Sequence, residues 1–149
     1  MWKYQSDDVN NISLHDHLID GLTIQDNDIS LIFKNGFDVV KTHPLNSTGR
    51  SKRTGKSQII LNRAKLLRGT ISPFRGERRE ISLSALISKV FGFEILEFKV
   101  EDKLFSLSGI LHEKPDSLFD SAELTFCCDE IMFYWNEYID DAWFEDGLT

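Results

Sequence analysis

Two histidines separated by a single residue, His15 and His17, form the pattern in this chain that is closest to a metal site. Residues i and i+2 of a β-strand lie on the same face, so both imidazoles can point at one ion. Imidazole is a good ligand for zinc, copper, iron and nickel. The third ligand can be His43, His112 or a carboxylate. The spacing is short and common, however, and no downstream motif completes the set of ligands. The alternative is a turn in which Asp16 bonds the backbone and one histidine packs at a sheet edge.

A second candidate is the basic, glycine-containing run from Gly49 to Ser57. It does not match the phosphate-binding loop of nucleotide triphosphatases, because five residues instead of four separate its glycines and an extended segment follows. Its cations can instead bind the phosphates of a nucleic acid. The candidate residues are Arg50, Lys52, Arg53 and Lys56. Phe74 is the only aromatic residue between positions 41 and 80, so no platform for stacking bases is visible.

A third candidate lies near the C-terminus, where two aromatic residues are surrounded by acids. The residues are Asp140, Asp141, Trp143, Phe144, Glu145 and Asp146. Aromatic rings supply affinity in protein interfaces, and carboxylates steer a basic partner toward them. This segment therefore predicts a partner-binding surface. The alternative is a terminal strand or turn that buries Trp143 in the core and leaves its acids in water.

No catalytic set is recognisable in the sequence. No serine lies in a nucleophile elbow, and the adjacent Cys127 and Cys128 have no local partner motif. The sequence leaves catalysis open, favours a protein that is not an enzyme and predicts no cofactor.

The charged residues are strongly segregated along the chain. Residues 41–80 hold eleven Lys and Arg against two Glu, a net charge of +9, whereas the rest of the chain carries −16. From Asp129 to Thr149 there are seven acidic residues and no basic ones. Such segregation bears on partners and association instead of on fold. It favours another protein as the partner over nucleic acid, and leaves open whether the two portions touch within one molecule.

Composition and length predict a cytoplasmic protein with one domain over residues 1–149. The first residues lack the apolar segment of a signal peptide, and no apolar run approaches the length of a membrane span. Adjacent cysteines on a strand point to opposite faces, so free thiols are expected. The oligomeric state is not predicted.

Alternating polarity predicts two hairpins in the first third of the chain. The first turns at residues 26–28, an Asp-Asn-Asp cluster that tolerates left-handed backbone. The second turns at Asn35-Gly36, which suits a type I′ turn and would place Phe33 opposite Asp38. Residues 45–57 have no apolar periodicity and predict an exposed, mobile loop. Residues 59–61 and 64–71 favour two further strands, with a helix over residues 58–68 as the alternative.

The remaining elements are one helix and two more hairpins. Ser82 can cap a helix over residues 82–91, where apolar residues recur at helical spacing. Residues 93–100 and 103–111 predict a hairpin. Residues 123–128 and 131–138 predict another, with Phe126 opposite Phe133. About nine strands and one short helix predict a mainly β fold, an antiparallel sandwich or open barrel, with an α+β layer as the alternative.

The run from Ile12 to His17, followed by strands around residues 26–28 and the Asn35-Gly36 turn, resembles small β-rich proteins of Gram-positive bacteria. Tyr134-Trp135, with the acidic Glu137 two residues later, is similar too. Some of these proteins look like immunity or accessory proteins near toxin genes. The resemblance implies a protein-binding function of the immunity type and assigns no functional residues. The basic middle of the chain departs from the acidity expected of an immunity protein against a basic nuclease.

Overall fold

The structure, a computed structural model, describes residues 1–87, 92–112 and 120–145. Over these residues the chain is mainly β, with antiparallel sheets and one short helix, as the alternation of the sequence predicts. The described strands are β1 Tyr4–Ser6, β2 Ile12–Ser13, β3 Leu18–Ile19, β4 Gly21–Gln25, β5 Asp28–Phe33, β6 Asp38–Val39, β7 Lys52–Thr54, β8 Ser57–Asn62, β9 Lys65–Ser72, β10 Arg79–Glu80, β11 Phe93–Glu101, β12 Leu104–Leu111, β13 Asp120–Cys127, β14 Glu130–Trp135 and β15 Tyr138–Asp141.

Three sheets contain these strands. One has five strands in the order β1-β14-β8-β5-β4, one has six in the order β10-β9-β13-β12-β11-β3, and one has four in the order β15-β7-β6-β2. Within the described part of the chain no sheet closes into a barrel. There are more strands than the nine expected because several have only two or three residues, which is too short to show alternation.

The six-stranded sheet contains the hairpin predicted around residues 101–103. Strands β11 and β12 pair along their length, and Asp102 makes the turn in a left-handed conformation with φ of 52°. Every second residue of β12 is buried, including Phe105 and Leu107. The expected alternation therefore holds along β12, whereas a register shift between Ile95 and Glu97 interrupts it in β11.

The five-stranded sheet contains the first predicted hairpin. Strands β4 and β5 pair in register, and Asp26 in the turn adopts a φ of 57°. Ile29, Leu31 and Phe33 alternate with partly exposed residues and form one buried face. Strands β8 and β9 confirm the prediction of two strands, and not a helix, over residues 58–71.

The hairpin predicted at Asn35-Gly36 was wrong. Strand β6 pairs with β2 and β7, so Asp38 lies opposite Ser13 and Arg53 instead of Phe33. Gly36 has a φ of +76°, and a Cβ there would come within 2.2 Å of the Thr54 carbonyl oxygen. This close approach directs the chain out of the five-stranded sheet and into the four-stranded one.

The hairpin predicted from residues 123–128 and 131–138 was also wrong. Strand β13 lies in the six-stranded sheet, where Phe126 is opposite Phe105. Strand β14 lies in the five-stranded sheet, where Phe133 is opposite Ile59. Both strands alternate as expected, but alternation shows which face is buried and not which strand is the partner. The link after Cys127 passes from one sheet to another.

The helix α1 spans Leu83–Ile87. The Ser82 hydroxyl oxygen accepts a hydrogen bond from the Ala85 backbone N–H at 3.3 Å, which confirms the predicted cap. Leu86 is fully buried. The rest of the helix predicted over residues 82–91 lies outside the described residues.

All three sheets contribute to one apolar core. Val39 comes from the four-stranded sheet, Leu31 and Ile59 from the five-stranded sheet, and Phe105 and Phe126 from the six-stranded sheet. That residues 1–149 form a single domain stays a prediction. No helix in the part of the chain that the structure describes is long and apolar enough to cross a membrane.

Candidate functional site

A row of polar residues crosses the four-stranded sheet. Asp140 on β15 is opposite Arg53 on β7, Arg53 is opposite Asp38 on β6, and Asp38 is opposite Ser13 on β2. Residues directly opposite each other in a sheet project from the same face. The pairing of four short strands therefore places on one face residues that are far apart in sequence.

This face forms the wall of a cleft of about 1000 Å³. The cleft is lined by Asp16, His17, Leu18, Asn35, Asp38, Arg53, Asp140, Asp141 and Trp143. One residue of the predicted metal pair, one of the basic loop and three of the acidic segment meet there. The three candidate sites of the sequence thus meet in one place.

A histidine and a buried aspartate form a pair in the cleft. The His17 Nε2 atom lies 2.8 Å from the Asp38 Oδ2 atom, and the side chains are 11% and 1% exposed. The other carboxylate oxygen, Asp38 Oδ1, is buried and has no hydrogen-bond partner among the described residues. Burying a carboxylate oxygen without a hydrogen bond is costly, so Asp38 Oδ1 lowers the stability of the fold unless a donor reaches it.

The two histidines of the predicted metal site take different partners. The His15 Nδ1 atom is 2.6 Å from the Leu96 carbonyl oxygen, and the His15 ring lies 5.8 Å from the Trp143 ring, between centroids. His17 instead bonds Asp38. Across the described residues no group of three or more His, Cys, Asp and Glu side chains is placed to hold a metal ion. The arrangement gives the metal hypothesis no geometric support.

The two other proposed third ligands lie elsewhere. His43 is bonded to Ser6, with its Nε2 atom 2.9 Å from the hydroxyl oxygen. The His112 Nε2 atom is 3.1 Å from a Glu94 carboxylate oxygen. Neither residue lines the cleft that contains His17.

The basic residues of the predicted nucleic-acid loop are mostly paired with the acidic segment. Arg50 and Lys52 both bind the Asp141 carboxylate, at 3.0 and 2.7 Å. Hydrogen bonding from Lys52, and then from Arg50, holds the pKa of Asp141 below its ordinary value. Arg53 binds Asp140 at 3.1 Å. A phosphate group would have to compete with these carboxylates, so the geometry does not favour the nucleic-acid hypothesis.

The basic and acidic portions of the chain meet within one molecule, at these ion pairs. Strand β7 lies in the positive portion of the chain and β15 in the negative portion, and the two strands are paired within one molecule. Lys56, the fourth candidate of the basic loop, is exposed. The opposite charges thus partly neutralise each other at the cleft instead of facing solvent as two patches.

The loop over residues 45–57, predicted as exposed and mobile, is built around a buried asparagine. The Asn46 Nδ2 atom donates to the Val39 and Arg50 carbonyl oxygens at 3.1 and 2.8 Å. Its Oδ1 atom accepts from the Thr48 backbone N–H at 3.1 Å. The end of this stretch forms β7, in which Thr54 is buried. Polar composition concealed this order because the polar atoms bond backbone instead of water.

The acidic segment has divided roles. The Glu145 carboxylate accepts the Ser51 backbone N–H at 2.7 Å, so Glu145, like Asp141, secures the segment to the rest of the fold. Trp143 is 57% exposed and makes an edge-to-face contact with Phe144, with ring centroids 5.5 Å apart. The side chain is therefore not in the core, where Trp135 is fully buried instead. Asp146 lies outside the described residues.

Sequence reasoning missed Asp38 as a site residue and gave Asp16 only a structural role. One signal was available for Asp38. It is the only charged residue in the run Phe37-Asp38-Val39-Val40, and an aspartate is almost never fully buried unless it has a partner, so its place among apolar residues points to a specific contact. Asp16 carried no such signal, because a short turn between histidines gives no indication of which cleft it faces.

Comparisons of the chain with protein-family models, with curated proteins and with solved structures give no match. The chemistry of the cleft is therefore inferred from the residues of this chain.

Proposed function

We propose that this chain is a non-enzymatic protein-binding domain whose contact surface is the rim of the cleft around Trp143. The observation that carries the proposal is the 57% exposure of a tryptophan at the edge of a large cleft. Tryptophan is the residue most enriched among the energetic hot spots of protein interfaces. Leaving its ring in water is unfavourable, and a partner that covers the ring removes that cost.

Charge around Trp143 supports a basic partner. Asp16 and Asp140 have exposed carboxylates and line the same cleft. Asp141 and Glu145, in contrast, hold the segment in place through Lys52 and the Ser51 backbone. We therefore narrow the predicted surface to Trp143 and Phe144 as apolar anchors, with Asp140 and Asp16 as the steering charges.

We propose further that the protein acts as an immunity-type protein in the bacterial cytoplasm. It follows the resemblance of the first strands to small β-rich proteins of that type. Cys127 and Cys128 form no disulfide, which is compatible with a reducing compartment. A protein that inhibits a basic toxin needs an acidic contact surface, and the exposed carboxylates of Asp16 and Asp140 at the rim supply one.

The test compares two exposed aromatic residues. Trp143 and Phe74 are 57% and 61% exposed, but only Trp143 lines the cleft. The wild-type protein and the Trp143→Ala and Phe74→Ala variants are immobilised and exposed to lysate of the source organism. The retained proteins are then quantified by mass spectrometry.

We expect one protein to be retained in near-equal amount with the wild type and with Phe74→Ala, and to be lost with Trp143→Ala. Circular dichroism of each variant provides the folding control. If every protein retained by the wild type is retained equally by Trp143→Ala, the rim around Trp143 is not the contact surface.

A further inference from the structure

The hydrogen-bonding groups of the cleft are unevenly divided between donors and acceptors. Arg53 is the only Arg or Lys among the residues that line it. Two of its guanidinium nitrogens are already used: Nη1 donates to the Asn35 carbonyl oxygen at 3.0 Å, and Nη2 donates to Asp140 at 3.1 Å. The cleft also contains the carboxylates of Asp16, Asp38, Asp140 and Asp141. Acceptors therefore outnumber the donors that remain for a ligand.

The histidine of the cleft adds another acceptor. Asp38 as a carboxylate can only accept, so the His17 Nε2–H donates to it, and in the neutral ring this leaves Nδ1 as an acceptor. Nδ1 has no partner among the described residues, and the ring lines the cleft. Asp38 thus acts as a positioning residue that selects the tautomer of His17.

The unpartnered Asp38 oxygen is an independent sign of a ligand. Asp38 Oδ1 is buried next to the cleft and bonds none of the described residues. An unsatisfied buried carboxylate oxygen costs free energy unless a donor reaches it, or unless added positive charge nearby offsets it. A cation bound against His17 would supply that charge.

The aromatic wall of the cleft selects among cations. Trp143 lines the cleft, and more than half of the residue is exposed. The face of an indole attracts cations, and it stacks best with a planar one. A guanidinium is planar and carries five N–H donors in a fixed fork, whereas an ammonium is compact and strongly hydrated.

We propose that the cleft binds the guanidinium of an arginine side chain presented by the partner protein. The guanidinium stacks on Trp143 and donates to the Asp16 carboxylate and to His17 Nδ1. This inference rests on the proposed function, because it names the group of the partner that the cleft recognises. It also explains why the acids of the cleft are only partly neutralised by the basic loop.

The experiment uses Nα-acetyl-L-arginine amide as the probe and the citrulline analogue as its neutral isostere. Each is titrated into ¹⁵N-labelled protein, and the Trp143 indole N–H is followed by NMR, with its signal assigned from the Trp143→Ala spectrum. We expect saturable shifts with the arginine probe and binding of the citrulline analogue that is weaker by about tenfold or more, as loss of one charge-assisted contact predicts.

Two aspartates provide a matched pair of variants. Asp16 and Asp102 both have left-handed backbone, with φ of 66° and 52°, and both are exposed. The two aspartates lie at opposite ends of β11. Asp102 follows the last residue of β11, whereas Asp16 is close to β3, which pairs with the first residues of β11. We expect Asp16→Asn to weaken binding of the arginine probe about threefold, the range for one exposed ion pair, and Asp102→Asn to leave it unchanged.

Equal shifts with the arginine and citrulline probes, or no saturable shift, would overturn the guanidinium assignment. The capture experiment distinguishes failure of the guanidinium assignment from failure of the protein-binding proposal. If the captured protein depends on Trp143 but is not displaced by the arginine probe, the binding surface stands and the assignment of its ligand falls. If the probe binds but capture ignores Trp143, the cleft binds a guanidinium and the protein-binding proposal falls.

Discussion

The six-stranded and four-stranded sheets differ in what holds them together. The six-stranded sheet has strands of up to nine residues and buries aromatic and aliphatic side chains such as Phe105 and Phe126. The four-stranded sheet has strands of two to four residues. Of the seven buried polar or charged side chains in the described part of the chain, five lie in β6, in β7 or in the segment between these two strands: Asp38, His43, Asn46, Ser51 and Thr54.

This difference is the reason why we place the proposed binding site at the four-stranded sheet. An apolar sheet gains stability from burial that does not depend on direction. A sheet held by side chain to backbone bonds and ion pairs depends on individual geometries, and it leaves polar groups beside a cleft. The buried Asp38 belongs to the second kind of region, where it is tolerated because the surrounding polar contacts hold it in place.

The largest effect is expected from an aromatic deletion in the six-stranded sheet. Phe126 is fully buried in the core and lies opposite Phe105. Phe126→Ala should lower the free energy of unfolding by about 3–5 kcal/mol, through lost burial and the cavity left behind. Urea unfolding measures this, with the exposed Phe74→Ala as the control. A loss of less than about 1 kcal/mol would mean that the core is not as packed as described.

The second-largest loss of stability is expected on replacing Asn46, a buried polar residue. Asn46 in the loop before β7 makes side-chain bonds to Val39, Arg50 and Thr48. Asn46→Ala should lower the free energy of unfolding by about 2–3 kcal/mol, since each bond contributes about 1 kcal/mol and carbonyls are left buried. The exposed Asn10→Ala is the control. If the two variants are equally stable, side-chain hydrogen bonds do not hold the four-stranded sheet.

The stability of the fold should also depend on pH through His43, which is buried beside the four-stranded sheet. Burial lowers the pKa of His43, and the Leu45 backbone N–H donates to its Nδ1 atom at 3.0 Å, which requires the neutral ring. The unfolded chain therefore binds more protons than the folded chain as pH falls below the ordinary value of about 6.5, and stability falls.

Unfolding midpoints at several pH values between 7.5 and 5 test this effect. We expect the wild type to lose more stability over this range than His43→Gln, which keeps hydrogen-bonding capacity but has no titrating ring. Parallel pH profiles for the two proteins would show that His43 is not held neutral by the fold.

The smallest effect is expected from the ion pairs at the rim. The Arg53 and Asp140 side chains are 31% and 68% exposed, so solvent screens the pair, and a double-mutant cycle with Arg53→Gln and Asp140→Asn should give a coupling of about 0.5 kcal/mol or less. The coupling should decrease further in 0.5 M salt. A coupling above about 2 kcal/mol that salt does not reduce would mean that this pair contributes far more to holding β15 against β7 than an exposed ion pair does.

The sequence by itself determined the mainly β class, the turns of the hairpins β4-β5 and β11-β12, and the Ser82 cap. These features depend on alternation and turn chemistry between residues close in the chain. It also identified Trp143 and its neighbouring acids as candidates for a contact surface, because residue type alone carries that chemistry.

Only the tertiary structure decided which strands are partners and what the candidate residues do. Asn35-Gly36 and the link after Cys127 look like hairpin turns, yet each carries the chain into another sheet, because alternation specifies a face and not a partner. The cleft depends on the order β15-β7-β6-β2, which brings Asp140, Arg53 and Asp38 into one row from distant parts of the chain. Long-range pairing of this kind is set by the packing of the whole core, and no local pattern encodes it.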